Sequence, residues 1–174
     1  QDDKPWVIGE FVWTGFDYRG EPTPYKWPNI SSHFGILDVC GFPKNIYYYY
    51  KSWWTNEDIL HISPHWNWPE KIGEPIDVWV NTNAEDVELF LNGKSLGKKT
   101  MQRNSHLVWN VKYAPGTLQA IGYIAGKKIK TETVQTTSAA QSIQLSADKE
   151  LLLATADDVA MITVGTKDAN GHFV

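Results

Sequence analysis

Seven short segments in which apolar and polar residues alternate fill the middle of this chain, and they restrict its fold more than any other feature. They fall at residues 59–63, 76–82, 87–91, 94–98, 107–111, 118–124 and 127–134, with turn residues between them. A period of two sends successive side chains to opposite faces, so each segment reads as a half-buried strand. Asn92-Gly93 stands between the third and fourth segments as a hairpin turn, because both central positions of a type I′ turn need positive φ. Gly126 does similar work in Ile124-Ala125-Gly126-Lys127. Seven strands over roughly 80 residues is the count of an immunoglobulin-like β-sandwich, placed here at 58–136, although the Cys…Trp…Cys signature is absent.

The residues before the sandwich are a different kind of chain. Of 9 Trp, 8 Tyr and 6 Phe, most fall before Trp79. Residues 6–16 are nearly all apolar, β-branched or aromatic, a pattern that suits a strand buried on both faces, as in a parallel sheet or barrel. Residues 18–33 carry Pro22, Pro24 and Pro28 and read as a long ordered loop, a kind of segment that is often functional. Pro43 suits a first helical turn, and Ile46, Tyr49, Tyr50 and Trp53 then share one helical face within 44–54. Residues 6–54 therefore read as strand, loop and helix, one unit of an α/β fold. Beyond the sandwich, Gln135-Thr136-Thr137-Ser138-Ala139-Ala140 is small and polar, with the linker at 137–140. Residues 142–147 and 159–168 read as strands again, too few to close a sandwich, so 141–174 is expected to be the truncated start of a further β-domain.

Composition sets the outer bounds. With 42% hydrophobic and 21% charged residues the chain lies away from the disordered corner. A net charge of −4 argues against nucleic acid as a partner, and Lys94, Lys98 and Lys99, like Lys127, Lys128 and Lys130, read as solvated strand faces. The single cysteine, Cys40, can form no intrachain disulfide and no zinc site by itself. No apolar run approaches the ~20 residues of a membrane-spanning helix, and no secretory leader is present. The absence of an initiator Met suggests a piece of a longer protein.

His61 and His65 stand four apart, but Pro64 between them makes the helix that would align two ligands unfavourable, so no metal and no cofactor is expected. Trp66 and Trp68 read either as a stacking platform for a glycan or as a wedge at a domain junction. Glu10, Asp17, Glu21 and Asp38 are the carboxylates of the aromatic half. On a strand Glu10 shares a face with Val12 and Thr14 while Phe11, Trp13 and Gly15 share the other, so Glu10 and Asp17 do not form a neighbouring pair. Each reads as a site group or as a structural carboxylate bonded to loop backbone. Trp13 reads as core packing or as a flat contact for the C–H face of a sugar ring.

At Phe11-Val12-Trp13-Thr14-Gly15-Phe16-Asp17-Tyr18-Arg19-Gly20-Glu21-Pro22-Thr23-Pro24-Tyr25 the chain resembles the last barrel strand and following loop of β-galactosidases in glycoside hydrolase family 2. Ser31-Ser32-His33-Phe34-Gly35-Ile36-Leu37-Asp38 and Gly41-Phe42-Pro43-Lys44 through Trp54 resemble the same family's closing loop and final helix. Val87-Glu88-Leu89-Phe90-Leu91-Asn92-Gly93-Lys94-Ser95-Leu96-Gly97 is similar to the sandwich that follows the barrel in many such enzymes. The resemblance implies a mainly β chain. It would hold the last strand-loop-helix unit of a (β/α)8 barrel at 1–57, the sandwich at 58–136, and the start of a further immunoglobulin-like or adhesin-like domain at 141–174. It also implies a retaining enzyme whose two catalytic glutamates lie upstream of Gln1, leaving this chain without catalytic residues and inactive alone.

By the same resemblance, the family's subsite tryptophan carries over to Trp13, with Asp17, Tyr18 and Glu21 in the matching loop as further substrate-binding residues. A cation held by some relatives near the segment matching Phe34 does not carry over, because Leu37 stands where an amide is needed. The implied partners are a β-galactoside or oligosaccharide, and the rest of the parent barrel or a second chain covering residues 1–57, unless those residues dock on the sandwich. A β-glucuronidase or β-mannosidase is the alternative within the family. A carbohydrate-binding module or a spacer domain is the alternative outside it.

Overall fold

The computed structural model describes residues 4–9 and 11–174; Glu10, one of the candidate carboxylates, lies outside them. All seven sandwich strands form where the alternation places them. They are β1 (Leu60–Ser63), β2 (Pro75–Thr82), β3 (Asp86–Leu91), β4 (Lys94–Thr100), β5 (Leu107–Lys112), β6 (Thr117–Ile124) and β7 (Lys127–Gln135). They build two antiparallel sheets, a three-stranded β1-β2-β5 and a four-stranded β4-β3-β6-β7. Asn92 and Gly93 take φ of 50° and 78°, and Ala125 and Gly126 take 49° and 72°, so both hairpins turn as their residue types demand.

The core lies between the sheets. Ile76, Val78 and Val80 from β2 meet Trp109 and Val111 from β5, Val87 and Leu89 from β3, and Leu118 and Ala120 from β6, all buried. Trp66 and Tyr113 close one end, their rings edge to face at 5.0 Å. Trp66 is buried and gives its indole N–H to the Ala114 carbonyl, while its own carbonyl accepts the Thr136 hydroxyl. Asn67 exchanges two hydrogen bonds with Thr137. Of the two readings of this Trp pair, the structure gives Trp66 the wedge, at the point where the chain leaves β7. Trp68 packs against the same core and stacks on His65.

The helix α1 (Asn45–Trp54) lies on the outer face of the three-stranded sheet. Tyr48 stacks on His61 of β1, Ser52 is buried, and Tyr49 and Trp53 donate to the carbonyls of Asn104 and Ser105 ahead of β5. The packed face is thus Asn45, Tyr48, Tyr49, Ser52 and Trp53, rotated by one residue from the expected Ile46, Tyr49, Tyr50 and Trp53. The most apolar stripe is not the docked one, and Ile46 and Trp54 stay exposed. Pro43 is not in the first turn either. It forms an isolated bridge with Leu37, and extended Lys44 caps the helix instead.

The strand expected at 6–16 is a correction. Its described residues form no strand beyond a single parallel bridge between Phe16 and Leu37, and Trp6, Ile8 and Phe11 are exposed. A strand buried on both faces needs neighbouring strands to pair with and layers packed over both faces, and beyond that one bridge the described residues supply neither there. Beyond the sandwich, β8 (Ser142–Ala147) and β9 (Ile162–Lys167) pair as a separate two-stranded sheet. Buried Asp168 ties it to the preceding chain by accepting the backbone N–H groups of Ser138, Asn170 and His172. Led by the Ser138 bond, these donors outweigh desolvation and bring its carboxyl down to about 2.

Candidate functional site

The loop before α1 folds back on itself. Residues 14–17 run beside 36–37, through Ile36 N–H to Thr14 O, Leu37 N–H to Gly15 O and Asp17 N–H to Leu37 O. Residues 18–20 run against 30–32, through Ser32 N–H to Tyr18 O and Gly20 N–H to Ile30 O. The crossing is tight at Gly35, where a Cβ would stand 2.2 Å from the Asp17 nitrogen, so no larger residue fits.

Asp17 sits under this crossing, 8% exposed. It accepts the Gly35 N–H at 2.7 Å and pairs with the Lys44 ammonium at 2.5 Å, while Lys44 also donates to the His33 carbonyl. Desolvation pushes its carboxyl upward, but the Lys44 and Gly35 bonds prevail and hold it below the ordinary carboxylate value. Asp17 is therefore a brace that ties the loop to the start of α1.

Above the brace, Trp13, Glu21, Thr23 and Phe34 line one open hollow. Trp13 is 74% exposed, and Tyr18 bridges it to Phe34, edge to face with both at 6.4 and 5.8 Å. The Tyr18 hydroxyl donates to the Glu21 carboxylate. That bond, with some help from burial, raises the phenol above its ordinary value, so Tyr18 stays a neutral donor. Glu21 itself is held in the left-handed region, at φ 46°, a strained placement that tends to occur where a side chain is aimed for function.

The structure thus brings together three of the four expected site residues, Trp13, Tyr18 and Glu21, and places Asp17 beneath them. Phe34 and Thr23 join the hollow without having been singled out as contacts. Thr23 follows the proline-rich pattern of the loop, but nothing in the local sequence marks which of its residues turn inward. Among the described residues no group of three or more His, Cys, Asp or Glu gathers in a way that could hold a metal. His61 packs on Tyr48, faces Glu132 at 3.3 Å and bonds Asn45, while His65 accepts the Asn67 N–H.

Comparisons with known proteins cover the chain end to end. The family described as a domain of unknown function (DUF4982) matches residues 73–130, inside the sandwich. A β-galactosidase of Bacteroides ovatus is 45% identical over 98% of the chain, which covers 20% of that protein. A putative β-glucuronidase of Formosa agariphila is 41% identical over 98% of the chain and 17% of its own length. Among solved structures, a β-glycosidase from Bacteroides vulgatus superposes with a TM-score of 0.90 at 39% identity, over 98% of the chain and 22% of that protein. A glycosyl hydrolase family 2 member from Bacteroides cellulosilyticus gives 0.87 at 32% identity, over 99% of the chain and 27% of its own. The chain therefore spans about a fifth of the length of these curated relatives.

Proposed function

The chain belongs to glycoside hydrolase family 2, and on that premise we propose that it is the segment of a retaining β-galactosidase that closes one sugar subsite with the Trp13 hollow. In this reading residues 1–57 are the end of the catalytic barrel, 58–136 the sandwich beside it, 137–140 a linker and 141–174 the opening of a further domain. Both catalytic glutamates then lie on earlier barrel strands. A retaining enzyme needs two carboxyl groups about 5–5.5 Å apart, one to protonate the leaving oxygen and one to attack the anomeric carbon. Asp17 is neutralised by Lys44 and Glu21 is bonded to Tyr18, so neither carboxylate of the loop is set up for those roles.

The lining of the hollow carries the choice of sugar. It offers a flat indole face, an apolar Phe34 edge and the Glu21 carboxylate, and among the described residues no lysine or arginine. A glucuronide would bring its own carboxylate toward Glu21 with no cation to balance it, whereas a galactoside brings only hydroxyls, which Glu21 can accept. The relatives include enzymes named for both sugars, so this contrast is what favours a neutral galactoside.

The test is binding of phenyl β-D-galactoside and phenyl β-D-glucuronide to the chain, followed at the Trp13 indole N–H, together with turnover of a chromogenic β-galactoside. The expected outcome is a preference for the galactoside that narrows in Glu21→Gln, and no turnover. Preference for the glucuronide would overturn the choice of sugar, and turnover by the chain alone would overturn the placement of the catalytic glutamates.

A further inference from the structure

A groove of about 690 Å³ opens beside α1, over the outer side of β2 and against residues 104–106 ahead of β5. That volume falls in the ~300–1,000 Å³ range of small-ligand sites. Trp79 stands in it on the outward register of β2, between buried Val78 and Val80, and remains 45% exposed. The alternation of β2 sends it there, opposite Ile76, Val78 and Val80, whereas the alternation of β5 sends Trp109 into the core. His106 lies flat on Trp79, with ring centres 4.2 Å apart and planes within 4° of parallel, so the imidazole covers one face of the indole, holds it in place and leaves a single aromatic face to the groove.

Around this stack the polar groups are held in place by the fold. Asp77 is fixed by the Asn110 amide at 2.7 Å, Asn81 donates to the Asn45 carbonyl at 3.3 Å, and the Tyr49 hydroxyl donates to Asn104 at 2.9 Å. Ser63 lines the same space from β1. A flat aromatic face rimmed by a carboxylate, an amide and hydroxyls matches a ring with C–H groups on its faces and hydroxyls on its edge. Among the described residues no lysine or arginine lines the groove, and Asp77 does, so charge complementarity disfavours phosphorylated and uronic ligands. We propose that this groove binds a neutral saccharide, one to three rings long, at a site separate from the Trp13 hollow and independent of the reading given for it.

Nitrogen–proton spectra of the chain, following the Trp79 indole N–H, test this by titration with β-1,4-galactotriose, cellotriose and xylotriose. The acidic counterpart is trigalacturonate. A saturable shift with at least one neutral trisaccharide is expected, weakened at least tenfold in Trp79→Ala and held within twofold in Trp13→Ala. His106→Ala keeps the tryptophan as reporter while removing the ring that holds the indole in place, and should weaken binding by a similar factor even if Trp79→Ala fails to fold. No shift with any of the three, loss of the shift in Trp13→Ala alone, or tighter binding of trigalacturonate would each overturn the proposal. So would concentration-dependent broadening of the Trp79 signal without sugar, which would assign the groove to a second copy of the chain. Failure at Trp13 and failure at Trp79 are read from different indole signals, so the two sites stand or fall separately.

Discussion

Asp17 and Lys44 lie far apart in sequence, and no periodicity connects them, yet their ion pair holds the loop that shapes the hollow. Tyr18, Trp13 and Glu21 were legible because the loop that carries them is aromatic, proline-rich and similar to a known family. Asp17 was legible as a site group or as a structural carboxylate bonded to loop backbone, and its Gly35 bond is the second of these; its Lys44 partner was not legible, because the local pattern does not name it. The brace has a pH signature. Its carboxyl lies below the ordinary value of 3.8, so its contribution is fully present above 3.8 and is lost as pH falls through the lower folded value. Asp17→Asn should remove that contribution at every pH. Thermal unfolding of the chain, followed by tryptophan emission between pH 7 and pH 3, should show the variant less stable at pH 7 by about 1–2 kcal/mol, the scale of one charge-assisted bond with a partly exposed partner. The difference should shrink toward the acid end. A gap that stays constant down to pH 3 would mean that Asp17 acts through shape and not through charge.

At the scale of elements, the sandwich strands were legible and the helix face was not, for one physical reason. A strand's face follows from a two-residue alternation that its own residues state, and the turns at Asn92-Gly93 and Ala125-Gly126 fix where each pair begins. A helix face is chosen by what the helix meets. The sheet under α1 offers the His61 ring and the carbonyls of Asn104 and Ser105, so it selects the tyrosine and tryptophan edges that can stack and donate. The small residue at the centre of that contact is Ser52, 2% exposed, with its hydroxyl turned back to the Tyr48 carbonyl at 2.7 Å. Ser52→Leu should therefore push α1 away from β1 and β2, at roughly 1–3 kcal/mol for an overpacked contact. Hydrogen exchange should quicken across Tyr48, Tyr49 and Trp53 and leave β3 and β6 protected as before. Equal loosening of both regions would show that the helix is part of the sandwich's own cooperative unit.

At the scale of the molecule, the strand read at 6–16 shows why some of a fold cannot be seen in one segment. Its composition asks for burial on both sides, and the described residues provide cover on neither. Trp6, Ile8, Phe11, Trp13 and Trp27 are exposed, and Phe16 and Trp54 line an apolar hollow between the loop and the outer side of α1. Ile143, Leu145 and Val164 on the separate β8–β9 sheet are exposed as well. Apolar patches larger than a few hundred Å² are uncommon on soluble monomers and usually mark a surface that meets another. Aromatic side chains bury more area per contact than aliphatic ones, so the N-terminal face should be the stronger of the two. Sedimentation of the chain at tens of micromolar is expected to show reversible association. A version beginning at Lys44 should sediment close to a monomer with its sandwich signals unchanged, and a version ending at Thr136 should still associate. The reverse pattern would move the sticky surface to the β8–β9 sheet. A chain that stays monomeric with the 4–16 aromatics rigid would mean that this face needs no cover, removing the physical argument that a barrel or a second chain completes it.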